Sequence, residues 1–347
     1  MRRLRVALLF NLKHNVPLPP DAPPDALAEY DTEETVEALK KALEAGGHEV
    51  IPLEGDVTLL DTIRQVKPDI CFNICEGHRG DARESQVPAL LEMLGIPYTG
   101  SKILAHALSL DKAMAKRVWR DCGLPTAPFQ VFVRGDEPLD PSLRFPLFAK
   151  PSREGSGMGI NERSILHDEK ELREQVRWLI KTYRQPALVE EFLPGREFTV
   201  GLIGNTLQPG VKPPSDFYDE RGFHVFPPME VDLSPVAESG GLYTSQVKTE
   251  KPLAPRYLCP APIDEELERE LKRLAVAAFE AIGALDVARV DLRLGSDGKP
   301  YLMEINTLPG LNPHYSDMVL VARAEGVSYE RLINEILNLA LIRYGLA

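Results

Sequence analysis

The stretch DVARVDLRLGSDGKPYLMEINT, Asp286 to Thr307, reads as a β-hairpin with a chemically loaded face. Period-two alternation puts Arg289 and Asp291 on one face of its first strand, and Glu304 and Asn306 on one face of the second. Val290, Leu292, Leu302 and Ile305 separate or flank them. If the two faces coincide, two carboxylates and an amide oxygen converge beside one guanidinium. Carboxylates held close repel unless a proton or cation intervenes, and an all-oxygen set with few ligands suits Mg2+, whose other positions go to water and phosphate. The alternative for this segment is the exposed polar face of a solvated hairpin.

Upstream, Lys150 ends the apolar strand FPLFAK and precedes PSREGSGMG. A lysine on its own is usually a solvated surface residue. One embedded in an apolar run before a glycine-rich loop is placed to hold a phosphate as a point charge. Glycines 155, 157 and 159 let backbone N–H groups approach phosphate oxygens, although such glycines also serve plain hairpin turns. A dinucleotide-binding fold needs G-x-G-x-x-G directly after the first strand, and here that strand runs into NLKHNVPLPP without a glycine. The P-loop pattern GxxxxGK[ST] is absent as well.

The rest of the chain supplies a frame for these motifs. The run LRVALLF is a buried strand, DTEETVEALKKALEAGGHEV a helix stopped by Gly46 and Gly47 before a further strand, and DICFNICEG a strand after a second helix. Residues 1–108 thus form a parallel α/β domain, with residues 109–195 and 196–347 as two mixed α+β units. Between Asn11 and Tyr30 lies a Pro-rich, aperiodic segment, either a lid over a ligand or a surface excursion. A second Pro-rich excursion covers Gln208 to Pro262, and helices follow at Asp264 to Ile282 and Ser328 to Tyr344. The 347 residues carry a net charge of −12, which argues against a nucleic-acid surface built on clustered Lys and Arg. No apolar stretch approaches the roughly 20 residues of a membrane span, and the start lacks a signal-peptide cleavage site, so a cytoplasmic protein is expected. Cys71, Cys75, Cys122 and Cys259 suggest neither a disulfide framework nor a paired zinc site, and the first two fit a buried strand.

In order along the chain, GIPYTGS, ALSLDKAMAK, AKPSREGSGMG, VEEFLPGREFTV, FYD, CPA, RVDLRL and MEINTLPG resemble the D-alanine–D-alanine ligases and the wider ATP-grasp superfamily. The resemblance implies an ATP-grasp fold behind an N-terminal parallel α/β domain, and an ATP-dependent carboxylate–amine ligase working through an acyl phosphate. It implies ATP and Mg2+, two ions, as cofactors, and amino or carboxylic acids as substrates, with a homodimer left open. By motif position, Lys112 and Lys150 match the lysines on the ATP phosphates, and Ser156 a serine of the loop that closes over them. Glu190, Phe192, Leu193 and Glu197 match the adenine- and ribose-binding stretch, joined by Phe217 and Met303. Asp291, Glu304 and Asn306 match the magnesium ligands. Arg289 and the backbone N–H of Gly310 match the groups that stabilise the tetrahedral oxyanion.

The substrate half departs from the family pattern. The glycine-rich loop after the first strand, with its serine and glutamate, is replaced by the Pro-rich segment, leaving Glu33 or Glu34 as stand-ins. The family's HG-containing loop becomes EGHRGDARESQ, which places Glu76, His78 and Glu84 there. Thr249 after Lys248 takes the position of a mobile-loop tyrosine. Tyr315, followed by Ser316, stands where the family has a serine for the second substrate's carboxylate. A ligase for other amino or carboxylic acids, or a nucleotide-binding regulatory protein without turnover, are the alternatives; the intact Arg289 speaks against the latter.

Overall fold

In the computed structural model, residues 3–234 and 255–347 are described; Lys248 and Thr249, matched above to the family's mobile loop, lie outside them. The chain begins with β1 (Arg5–Phe10), α1 (Glu33–Ala45), β2 (Glu49–Glu54), α2 (Leu59–Val66) and β3 (Ile70–Asn73). Their strands form a parallel sheet in the order β2-β1-β3. Every residue of β1 after Arg5 is buried, as befits a parallel strand covered on both faces. Glu33 and Glu34 in the first turn of α1 face the positive end of the helix dipole.

Next come α3 (Gln86–Leu94), α4 (Ile103–Leu110), α5 (Lys112–Asp121), β4 (Phe129–Phe132), β5 (Leu147–Pro151), β6 (Ile165–Leu166), α6 (Glu169–Tyr183) and β7 (Ala187–Glu191). Their four strands make an antiparallel sheet, β4-β7-β5-β6, with the glycine-rich loop between β5 and β6. The remainder holds β8 (Glu197–Gly204), β9 (Phe223–Val225), β10 (Met229–Asp232), β11 (Arg256–Leu258), α7 (Glu265–Ile282), β12 (Asp286–Leu294), β13 (Pro300–Asn306), α8 (Asp317–Ala324) and α9 (Tyr329–Arg343). Its antiparallel sheet runs β11-β10-β8-β12-β13, with β9 beside β8. The three strands β9 to β11 fall inside the stretch expected to be a Pro-rich excursion. Each has three or four residues, too few for alternation to stand out.

The parallel sheet and the C-terminal helices share one core. Leu8, Leu39 and Phe72 belong to the same buried cluster as Met318, Ile333 and Leu337, and each such side chain stabilises the fold by about 1.5–3 kcal/mol. Asp286 fastens this junction. Fully buried, it accepts from the Gly100 N–H at 2.9 Å, Asn205 Nδ2 at 2.8 Å and Arg343 Nη2 at 2.7 Å. Among the described residues, no helix is long and apolar enough to cross a membrane.

Candidate active site

The hairpin places its polar residues as alternation requires. Arg289 lies opposite Asn306 and Asp291 opposite Glu304, so the two loaded faces coincide. The register then slips: Leu292 pairs with Leu302, leaving Met303 as the extra residue of a bulge. The slip explains how Met303, adjacent to Glu304 in sequence, lines the same cavity. Arg289 grips Asp291 through two bonds, Nε to Oδ1 at 3.1 Å and Nη2 to Oδ2 at 2.8 Å, and donates to Asp317 at 3.0 Å. Burial works against the guanidinium charge, but Asp291, Asp317 and Glu304 outweigh it and raise its pKa. The Thr199 hydroxyl donates to Asp291, and Asn306 Nδ2 lies 3.4 Å from the same carboxylate.

Two lysines meet this face from the other sheet and from α5. Asp111 caps α5 by accepting from the Met114 N–H at 3.1 Å, which sets Lys112 at the first helical position. Its ammonium lies 3.4 Å from Glu304 and donates to the Glu154 carbonyl. Lys150 pairs with Glu190 at 2.7 Å, and a third lysine, Lys116, takes the other oxygen of Glu190 at 2.7 Å. Burial pushes the Glu190 carboxyl up, yet Lys116 and Lys150 together hold it at about 2. Burial depresses the Lys116 ammonium, whereas the nearby glutamates raise that of Lys150 in spite of burial.

The glycine-rich loop is held by the Pro-rich segment, which packs against it. Glu29 accepts from the Gly155 N–H at 2.5 Å and from Arg83 at 2.6 Å, and Arg83 also bonds Glu154 at 3.0 Å. A Cβ on Gly155 would run into the Glu29 carboxylate. Asp25 accepts from the Gly159 N–H at 3.0 Å and the Tyr183 hydroxyl at 2.9 Å. Ser156 sits in the left-handed region at φ 48°, an uncommon conformation for a residue with a side chain.

Three adjoining cavities open along this surface, and Arg289 lines all of them. The first holds Lys112, Lys150, Glu197, Asp291, Met303 and Glu304. The second, about 90 Å³, adds Glu76, Glu84, Ser156, Asn306 and Gly310. The third, about 200 Å³, adds Asp31, Tyr257, Asn312, Tyr315 and Ser316. Tyr315 is 38% exposed, while Ser316 is buried and its Oγ accepts from the Asn312 N–H at 2.8 Å.

Other expected residues lie apart. Phe217 stacks on His224, with ring centroids 3.8 Å apart, beneath Arg331 of α9. That places it against the C-terminal helices, and this placement does not support a nucleotide contact. His78 packs against Tyr30 with the rings tilted, centroids 5.8 Å apart, and lines a separate cavity under the Pro-rich segment. Glu190 and Phe192 sit behind the first cavity; Phe192 stacks on Phe148, a wall residue, and lies under Arg293. Leu193 follows Phe192 in the turn between β7 and β8 and lines none of the three cavities. Glu33 and Glu34 pair with His14 and His314 at the surface, and Glu29 takes the inward position instead. Lys116, Asp317, Thr199 and Arg83 carry no local signal in the sequence; only their contacts reveal them.

Asp291, Glu304 and Asn306 offer the hard oxygen donors that Mg2+ prefers. Among the described residues no group of three or more His, Cys, Asp or Glu is poised to hold a metal on its own. An ion here would therefore complete its shell with phosphate and water, as Mg2+ does.

The family model described as "D-ala D-ala ligase C-terminus" matches residues 118–338. The D-alanine–D-alanine ligase of Marinomonas sp. is 33% identical over 323 residues, covering 88% of this chain and 90% of that one. The D-alanine–D-alanine ligase of Nitrosococcus oceani is 32% identical over 316 residues, covering 88% and 86%. A Sinorhizobium fredii protein named "Uncharacterized protein y4sG" is 38% identical over 316 residues, covering 89% and 88%. In fold, the chain is similar to the crystal structure of the Bacillus anthracis D-alanine–D-alanine ligase complexed with ATP, with a TM-score of 0.71, 20% identity, and coverage of 99% of this chain and 100% of that one. A family model spanning the greater part of the chain, together with relatives above 30% identity along most of its length, makes this chain a member of the D-alanine–D-alanine ligase family.

Proposed function

We propose that the chain is an ATP- and Mg2+-dependent carboxylate–amine ligase whose amino-acid subsites differ from those of its named relatives. The observation that carries this is Arg289, which lines the nucleotide cleft and both adjoining cavities. A group at that junction meets the phosphoryl donor, the carboxylate and the amine together.

In this reading, Lys112 and Lys150 hold the ATP phosphates and the glycine-rich loop covers them through its backbone N–H groups. Asp291, Glu304 and Asn306 would hold Mg2+, which when bound offsets phosphate charge. A substrate carboxylate oxygen attacks the γ-phosphorus, ADP leaves, and an acyl phosphate remains. The amine then attacks the acyl carbon, loses its proton, and inorganic phosphate departs. Arg289 and the Gly310 N–H are positioned beside the developing oxyanion, and their preorganisation lowers the barrier without covalent catalysis by the protein. The four free thiols fit a reducing compartment, and with the supply of ATP they support a cytoplasmic location.

The test is ADP and phosphate release across a panel of D- and L-amino acids and small carboxylic acids. Acid-dependent release that requires an amine for amide formation is expected. ATP binding with no acid-dependent release from any member would leave a regulatory nucleotide-binding protein instead.

A further inference from the structure

The second cavity is unusually rich in carboxylates. Glu29, Glu76 and Glu84 line it alongside Arg289, Asn306 and Gly310. Glu29 alone of the three is matched to a guanidinium, Arg83, and Arg83 is shared with Glu154. Glu84 is only 8% exposed, yet among the described residues it accepts no hydrogen bond. Its nearest candidate donor is His106 Nδ1 at 3.7 Å, and that nitrogen is already engaged with the Thr307 hydroxyl at 2.9 Å. Glu76 likewise makes no hydrogen bond or ion pair among the described residues. Glu84 is nearly withdrawn from water with only His106 at 3.7 Å beside it, and Glu76 is half-buried next to it, an arrangement that favours a cation arriving with the ligand.

The ligase reading supplies such a cation in the ammonium groups of an amino-acid substrate. A single ammonium would be served by Glu29 alone. Resting on the ligase reading above, we propose that the carboxylate-donor subsite takes a diamino acid, with its α-ammonium at Glu29 and its side-chain ammonium between Glu76 and Glu84. The carboxylate then points toward Arg289 and Lys112, where the cavity adjoins the nucleotide cleft. In agreement, burial and the neighbouring Glu29 and Glu84 push the Glu76 carboxyl well above its usual range, a tension that a bound ammonium relieves.

The donor half-reaction is assayed on the full chain with ATP and Mg2+, trapping the acyl phosphate with hydroxylamine as a hydroxamate. Both enantiomers of alanine, 2,3-diaminopropionate, ornithine and lysine are compared. The best diamino acid is expected to exceed alanine in kcat/KM by at least ~100-fold, since buried carboxylates left unpaired penalise the smaller acid. Glu84→Gln should cut that preference by ~10-fold or more, chiefly through KM for the diamino acid; Glu76→Gln serves if the first variant does not fold. Alanine turnover equal to that of the best diamino acid would overturn the proposal and leave the ligase reading intact. If no acid yields hydroxamate, the ligase reading fails, and thermal unfolding with a non-hydrolysable ATP analogue decides the subsite. A rise in Tm with a diamino acid, absent with alanine and lost in Glu84→Gln, supports it; no rise overturns it.

Discussion

Replacing Glu304 by glutamine tests the centre of the site most directly. The carboxylate lies 3.4 Å from Lys112 Nζ and 3.8 Å from Arg289 Nη2, facing Asp291 across the hairpin. At an effective dielectric constant of about 20, a unit charge at the Lys112 distance contributes a gross Coulomb term of about 5 kcal/mol. A divalent ion held at closer range depends on the charge more strongly still. Glutamine keeps the shape and one acceptor oxygen but removes the charge. Turnover should therefore fall by a factor of ~10³ or more, equivalent to about 4 kcal/mol of transition-state stabilisation. Folding should change little, because Lys112 keeps the Glu154 carbonyl and Arg289 keeps Asp291 and Asp317. The assay is coupled ADP release at saturating substrate over a Mg2+ titration, beside urea unfolding of both proteins. Wild-type turnover with an unshifted Mg2+ dependence would refute the assignment of Glu304 to the metal.

Lys150→Ala should raise KM for ATP by roughly 10- to 100-fold, since the ammonium acts on phosphates in ground and transition states alike; a change confined to the amino-acid constants would move Lys150 to the other half of the site. Asp286→Ala strands the Arg343 guanidinium and should cost roughly 3–5 kcal/mol in urea unfolding, with a loss under ~1 kcal/mol counting against Asp286 as the junction between sheet and C-terminal helix. Glu190 titrates at about 2 when folded against 4.5 for a free glutamate, so it contributes about 3 kcal/mol of stability present above pH 4.5 and lost as pH falls toward 2. Glu190→Gln should flatten that part of the acid limb, and an unchanged limb would contradict the Lys116–Glu190–Lys150 arrangement. Tyr315 lines the third cavity at the position where the resemblance expects a serine; if the larger ring crowds the second substrate there, D-alanine should be a poor second substrate and Tyr315→Ser should improve its kcat/KM by ~10-fold, and efficient D-alanyl-D-alanine formation by the unaltered chain would refute this.

Much of the first cavity's lining is legible in the chain because its signals are local. The alternation of Arg289, Asp291, Glu304 and Asn306 survives folding, since a hairpin fixes its own register through its turn. The same holds for Lys150 at the mouth of a glycine-rich loop. The β1-α1-β2 opening is equally plain, because a buried parallel strand and a glycine-stopped helix each announce themselves within a dozen residues.

Where the reading falls short, the missing information lies in contacts between distant segments. Met303, expected at the site from its motif position, does line the first cavity, but the alternating pattern does not show the bulge after Asp291 that turns it there. Phe217 sits in a motif match, yet its ring is taken up by His224 and Arg331. Glu29, inside an aperiodic Pro-rich run, becomes the inward carboxylate because Arg83 and the Gly155 N–H meet it from segments 54 and 126 residues away in sequence. By itself the sequence determined the oxygen-donor face, which depends on a period of two residues, and the ATP-grasp architecture through the resemblance its motifs carry in order along the chain. Only the tertiary structure decided which charges share the substrate cavities, because electrostatic partnership falls off over a few ångströms of space, and separation along the chain carries no record of it.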